Sequence, residues 1–392
     1  MSYIFHTPNG FTLIDSTPKN GLFCKSFSSS YANKPISIFS QHTPQYCACM
    51  DSSNKLYIAV LHDSYHLSCY TSEGNHFIKH PLTENQNAYY KLSSPIVFTL
   101  QDQAHIIYLS HSLSSDTYSF VLQNLTDSNL TFLLNLESAP ELIKSYSVKE
   151  QLWIFFIIKD TYYHLQALHI TPTSTTLSTL LNVAELIVDY SICIEEELLH
   201  VTYVSELHGK YQLTYFNSQT QKLAKLLTSQ SPCNPVIFCY YNMIWINTLL
   251  NRKLQMMLSI DNGQNFSIPT PCSLQNNLYR CYFFTQKCSP FVGQELYASL
   301  GSNLRLCTLG MIDFPKFHYD SHIAPELELL IEGLVLSLDA FSTSTQLLSS
   351  PAYDDTFSPT NHSSRSINTS NLDQAKSDFM RNLEGWELPP KI

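Results

Sequence analysis

The chain is 392 residues long, 44% hydrophobic and only 14% charged, with a formal net charge of −10. That is ample chain for one large domain or two ordinary ones, and the composition is neither collagen-like, wholly disordered nor that of a disulfide-stapled miniprotein. The charge is uneven: residues 320–392 hold 11 acidic against 4 basic side chains, so residues 1–319 are nearly neutral and lack the basic footprint of a nucleic-acid binder.

The opening MSYIFHTPNGFTLIDST lacks the cationic stretch and the roughly 7–15 apolar residues of a secretory signal. No segment reaches the roughly 18 apolar residues of a membrane-spanning helix. The cysteines number 11, an odd count, and show no C-x-x-C pair, which suits a reducing compartment; a cytoplasmic location is the expectation. Cys47 and Cys49 form a C-A-C pair that reads as buried apolar positions, with a shared metal as the alternative.

Similar strand-like runs start at Leu56, Ile106, Leu152, Leu199, Met243 and Leu296, spaced 50, 46, 47, 44 and 53 residues apart. Each is short, rich in β-branched and aromatic residues, and followed by a polar turn and a second such run. Another strand precedes each pair, from Gln45, Pro95, Ser145, Asp189, Pro235 and Cys281, and a weaker one often follows, as at His76, Thr131, Thr175, Lys222 and Phe266. Four short antiparallel strands in each repeat of about 40–50 residues predict an all-β β-propeller. Residues 1–40 read as the second, third and fourth strands of a partial closing blade, its first strand supplied from beyond residue 310. The expectation is about seven four-stranded blades over residues 1–319, with six as the alternative.

Ser259, Asp261, Gly263 and Phe266 fit the spacing S-x-D-x-G-x-x-F. Asp and Ser would accept and give hydrogen bonds within a turn, and Gly would take positive φ. On this motif the chain resembles the Asp-box (BNR, sialidase-like) β-propellers, in which the box lies between the third and fourth strands of a blade. The resemblance implies a structural role for these four residues. It does not bring the enzyme with it: Arg252, Arg280 and Arg305 fall at unlike blade positions rather than as the arginine triad of sialidases. No catalytic residue, cofactor or metal is expected, although His62, Asp63 and His66 form a tight turn that a metal clip could use. Glu195 to Glu197 read as a solvated turn, and His164, His169 and His200 as satisfied or exposed strand residues.

Propellers bind over the face where second-to-third-strand turns meet fourth-to-first-strand loops. That face would carry His62, Asp63, Tyr65, Tyr89, Tyr90, His111, Asp116, Lys159, Asp160, His208, Lys210, Arg252, Tyr279 and Arg280. Mixed charge with Tyr and His suits a protein partner or a sugar.

Beyond residue 319 the pattern changes. Residues 320–342 read as a helix or a ring-closing segment, and 343–370, rich in Ser, Thr, Asn and Pro, as a disordered linker. Residues 371–392 read as a short amphipathic helix and docking tail anchored by Leu372, Phe379, Leu383 and Trp386. The function expected from the whole is a non-enzymatic propeller that scaffolds a protein partner not identifiable from the sequence. The alternative is a glycan-binding or glycan-hydrolysing propeller.

Overall fold

Alternation of apolar and polar residues sends every second side chain to one face of a strand, and this pattern dominates the chain. In the computed structural model, residues 1–306 are described, apart from 8–9, 28–32, 44, 85–88, 126–128, 241–242, 260, 272–277, 286–290 and 301–303. Among the described residues every regular element is a strand, and the strands gather into six sheets. The molecule is an all-β propeller of six blades, built mainly from four-stranded antiparallel units.

Blade 1 contains residues 2–39 and, in the same sheet, 278–306. Blades 2 to 6 follow in chain order over 46–84, 90–136, 141–183, 186–229 and 234–271. The innermost strands are Ser2–Thr7, Tyr46–Met50, Tyr90–Leu100, Glu141–Val148, Leu186–Glu195 and Asn234–Tyr240, and the returning chain adds Leu278–Phe284. Phe291–Val292 pairs with the inner edge of blade 6.

Two expectations are corrected here. Six blades stand where the repeat count favoured seven, because the last unit does not form a separate sheet. Its first strand, Leu278–Phe284, hydrogen-bonds in parallel with Ser2–Thr7, Tyr3 lying opposite Tyr282 and Phe5 opposite Phe284. The N-terminal unit is also one strand out of phase with the expectation. Ser2–Thr7 is an innermost strand, not a second one, so no strand is missing and the closing partner lies at 278–284 rather than beyond 310. A recurring bulge supports this phase. The third and fourth strands slip register at Leu22/Phe23, Leu67/Ser68, Phe120/Val121, Leu165/Gln166 and Leu213/Thr214, at the same place in five blades. Such bulges bend and twist the outer edge.

The core lies between the sheets. One cluster runs along the inner strands from Tyr3 to Tyr282, and further clusters fill the gaps between blades 3 and 4 and between blades 5 and 6. The aromatic rings of Tyr3 and Tyr282 stack at 4.9 Å across the closure, adding to the strand pairing there. The segments 320–342, 343–370 and 371–392, with Leu372, Phe379, Leu383 and Trp386, lie outside the described residues.

Candidate functional site

Every innermost strand starts at one face of the ring, here called upper. Second-to-third-strand turns and fourth-to-first-strand loops lie on that face, and the other turns lie on the lower face. Antiparallel pairing imposes this: Tyr90, at the start of its strand, sits opposite Ser112, at the end of the next.

On the upper face three successive blades carry a carboxylate–imidazole pair in the same turn. His66 Nδ1 lies 2.7 Å from Asp63 Oδ2, His111 Nε2 2.8 Å from Asp116 Oδ1, and His164 Nε2 2.8 Å from Asp160 Oδ1. Asp63 also accepts the backbone N–H groups of Tyr65 and His66, and Asp160 that of Tyr162, so these two aspartates also build their turns. Slight desolvation pushes the Asp63 carboxyl up, but the hydrogen bonds from His66 and the two N–H groups outweigh it and hold the carboxyl below its ordinary range. The N–H of Tyr162 and the His164 ring do the same for Asp160. His164 is raised by its contact with Asn182 and then by Asp160.

Large apolar side chains stand exposed on the same face: Tyr89, Tyr90, Leu113, Leu142, Tyr162, Leu186, Leu207 and Tyr279. The loops that carry them are tied together. Leu113 N–H donates to Tyr89 O at 2.9 Å, and Leu92 N–H to Ser64 O at 2.7 Å, joining blade 3 to the turn of blade 2. His208, at φ 52°, and Lys210 shape the corresponding turn of blade 5, and Arg252, at φ 63°, that of blade 6. His62 is partly buried, edge-on to Phe39 at 4.6 Å with Nε2 3.0 Å from Ser68 Oγ. Burial, and then the nearby Lys79 charge, lower its pKa.

Arg280 departs from this pattern. It was expected on the rim, but its side chain is buried among the innermost strands. Its Nη1 meets Asp189 Oδ1 and Oδ2 at 2.9 and 2.7 Å, and its Nη2 meets Tyr190 O at 2.7 Å and Glu295 Oε2 at 2.6 Å. Lys144 Nζ approaches Asp189 at 3.2 Å and Glu295 at 3.5 Å, and also donates to Tyr190 O. Ser191 Oγ donates to Glu295 Oε2 at 2.5 Å. Two cations and two carboxylates thus cancel at the hub, tying blades 4 and 5 to the closing strands. Burial pushes the Asp189 carboxyl up, but the Lys144 and Arg280 charges prevail and hold it low. Burial and then the Arg280 charge lower Lys144. Buried ions persist only with such partners.

Lys144, Asp189 and Glu295 were not singled out from the sequence. A signal existed: Lys144-Ser-Tyr146 and Arg280-Cys-Tyr282 place a cation two residues before a tyrosine in innermost strands, and residues two apart share a face. Nη1 and Nη2 of Arg280 are engaged within the chain, whereas its buried Nε makes no hydrogen bond, and Arg305 lies in the strand Leu304–Leu306. The paired cysteines Cys47 and Cys49 are buried in the core.

On the lower face, the turn from Ser259 to Phe266 lies between the third strand of blade 6, Lys253–Ser259, and the short fourth strand, Thr270–Pro271. Ser259 Oγ donates to Asp261 Oδ1 at 2.8 Å and accepts the Gly263 N–H at 2.9 Å. Asp261 accepts the Asn265 N–H at 2.9 Å. Gly263 has φ 79°, and a Cβ there would stand 2.1 Å from the Tyr215 hydroxyl of blade 5. Phe266 meets the same Tyr215 ring edge-on at 4.8 Å.

No family model matches the chain, and no curated protein matches it. The resemblance to Asp-box propellers therefore rests on this turn alone. Among solved structures, the chain is similar to the SapL1 lectin in complex with alpha methyl fucoside (TM-score 0.42, 7% identity, 69% of this chain and 94% of that one). It is also similar to a mutant of the Aleuria aurantia lectin AAL in complex with Fucalpha1-6GlcNAc (TM-score 0.40, 7% identity, 67% and 90%). A third is the WD40 domain of SCAP from fission yeast (TM-score 0.41, 10% identity, 79% and 74%). At these scores the likenesses say nothing of what this chain binds. Among the described residues no helix is long and apolar enough to cross a membrane.

Proposed function

We propose that the chain is a non-enzymatic β-propeller whose upper face is a docking surface for a protein partner. One observation carries the reading: exposed Tyr89, Leu113, Tyr162 and Leu207 stand on loops of one face, which also carries three Asp–His pairs. Aromatic and aliphatic anchors with a polar surround are what the cores and rims of protein interfaces use. Strands on all sides hold these loops, so little ordering remains to oppose binding. The hub offers no competing reading as a carboxylate-binding pocket, because both Nη1 and Nη2 of Arg280 are already taken by Asp189, Tyr190 O and Glu295.

The test compares the full chain with a variant carrying Tyr89→Ser, Tyr162→Ser and Leu207→Ser, and with the lower-face variant Asp102→Asn. Affinity capture from cell extract, read by mass spectrometry, should lose the same proteins with the upper-face variant and keep them with the lower-face one. Melting temperatures should stay together. Capture that survives the triple substitution overturns the reading. Binding of the same proteins to immobilised glycans supplies the other arm: sugar binding abolished by the tyrosine substitutions would move the surface to the glycan class.

A further inference from the structure

Among the described residues, Glu195, His200 and Cys239 bring a carboxylate oxygen, an imidazole nitrogen and a thiol sulfur within 4.8 Å of one another. They come from different parts of the fold. Glu195 ends the innermost strand of blade 5, His200 follows the tight turn after it, and Cys239 lies on the innermost strand of blade 6. His200 is 0% exposed and Cys239 1%. Cys193 lies opposite His200 in the strand pair, but its thiol donates to Val292 O at 3.2 Å and lies 3.5 Å from Cys239 Sγ, so it stays outside this group of three.

The second observation is the state of the imidazole. Nδ1 of His200 lies 2.7 Å from the Tyr215 hydroxyl, whereas the wholly buried Nε2 makes no hydrogen bond. Glu195 Oε2 is 3.6 Å from that Nε2, too far for a hydrogen bond. A buried polar atom normally has a partner. When Nδ1–H is directed to the tyrosine, Nε2 presents a lone pair to the space between Glu195 and Cys239. Metal-bound histidines are held in this way by a partner on the second nitrogen.

The spacing of the imidazole and the carboxylate suits a shared metal ion. Bonds of about 2.0–2.1 Å to nitrogen and oxygen give a tetrahedral edge of about 3.4 Å between them. The separation of 3.6 Å between His200 Nε2 and Glu195 Oε2 is close to that edge. Mixed thiolate, imidazole and carboxylate donors select zinc over magnesium or calcium. The turn next to the site is Glu195-Glu196-Glu197, whose carboxylates favour the approach of a cation.

We propose that Glu195, His200 and Cys239 form a zinc site on the lower side of the ring that staples blade 5 to blade 6. Tyr215 is its positioning residue, and the Ser259–Phe266 turn supports Tyr215 in turn through Gly263 and Phe266. That motif then acts beyond its own hydrogen bonds, by fixing the ring that orients His200.

The full chain, purified with reductant and stripped with a chelator, is titrated with Co²⁺, whose thiolate charge-transfer absorption reports sulfur ligation. One equivalent should bind with that band, Zn²⁺ should displace it, and Zn²⁺ should raise the melting temperature by roughly 5 °C. Cys239→Ser and His200→Gln should each weaken binding at least about 100-fold, and Tyr215→Phe about 10–100-fold. Glu195→Gln, in a half-buried turn the fold tolerates, should weaken Co²⁺ without removing the thiolate band. Cys69→Ser, in blade 2, should change nothing. Absence of a thiolate band from the folded chain, or a band indifferent to Glu195→Gln and Tyr215→Phe, overturns the proposal even if Cys239→Ser fails to fold. Partner capture by the upper face is a separate readout.

Discussion

Arg280 and His66 each hold an aspartate oxygen at 2.7 Å, yet the two pairs occupy opposite environments. At the hub the side chains of Arg280 and Asp189 are 10% and 18% exposed; on the rim those of His66 and Asp63 are 54% and 53% exposed. Water and salt screen the rim pairs, so their Coulomb energy is small and their side chains keep the freedom to meet a partner. At the hub the ions have lost their water, and each depends on the others for compensation. Equal distances therefore mark different roles. The hub fixes how the ring closes, and the rim presents chemistry to the outside.

The largest expected effect breaks the hub. Arg280→Met leaves Asp189 and Glu295 facing Lys144 alone and should cost about 3–5 kcal/mol in chemical denaturation. Arg280→Lys keeps the charge but loses the bidentate fork, and should recover part of that loss. The rim counterpart, His66→Ala, should cost under about 1 kcal/mol. Equal losses at the two sites would mean that burial does not separate them and that the hub is not the lock of the ring.

A middle-sized effect comes from the lower-face turn, which belongs to neither set. Gly263→Ala adds a methyl group at positive φ against the Tyr215 hydroxyl and should cost about 2–4 kcal/mol. Asp261→Ala removes the acceptor for Asn265 N–H and should cost about 1–2 kcal/mol. Upper-face capture should be unchanged in both. A loss of capture without a loss of stability would transfer the docking surface to the lower face.

The same contrast explains what could be read from the sequence. Strands and turns were legible because alternation and turn chemistry are local: the runs from Leu56, Ile106, Leu152 and Leu199 all lie in second strands. The rim pairs were half legible, since Asp160 and His164 are four residues apart and a tight turn brings them together. The number of blades was not legible. It depends on whether Ser2–Thr7 accepts Leu278–Phe284 as a parallel neighbour, a choice of hydrogen-bond partner that no periodicity encodes. The hub was hidden for the same reason, with Arg280 reaching Asp189 across 91 residues and Ser191 reaching Glu295 across 104. His200 and Cys239 each look like ordinary strand or apolar positions until adjacent blades meet.

The smallest effect is the one that tests whether the rim pairs persist in solution. His164 has both nitrogens placed as donors, Nδ1 toward Asn182 Oδ1 at 2.5 Å and Nε2 toward Asp160 Oδ1 at 2.8 Å. Only the imidazolium fills both roles with N–H groups, so the Asn182 contact and then Asp160 raise its pKa. His62, two blades away, is pushed the other way by burial and then by Lys79. The two rings should therefore titrate on opposite sides of the ordinary value of about 6.5 in an NMR titration. The signs of their stability contributions follow by linkage. That of His164 is fully present below the ordinary value and is lost as pH rises through its raised folded pKa. That of His62 is present above the ordinary value and is lost as pH falls through its lowered one. Asp160, held low by Tyr162 N–H and His164, keeps its charge throughout this window and adds to the pair until pH falls through its own depressed value. Asp160→Asn should move the His164 midpoint back toward that of a free imidazole and leave His62 where it was. A wild-type His164 midpoint at or below the ordinary value would show that the rim turn of blade 4 is open in water. The three Asp–His pairs would then no longer count as a preformed part of the surface, and the exposed tyrosines and leucines alone would carry the docking.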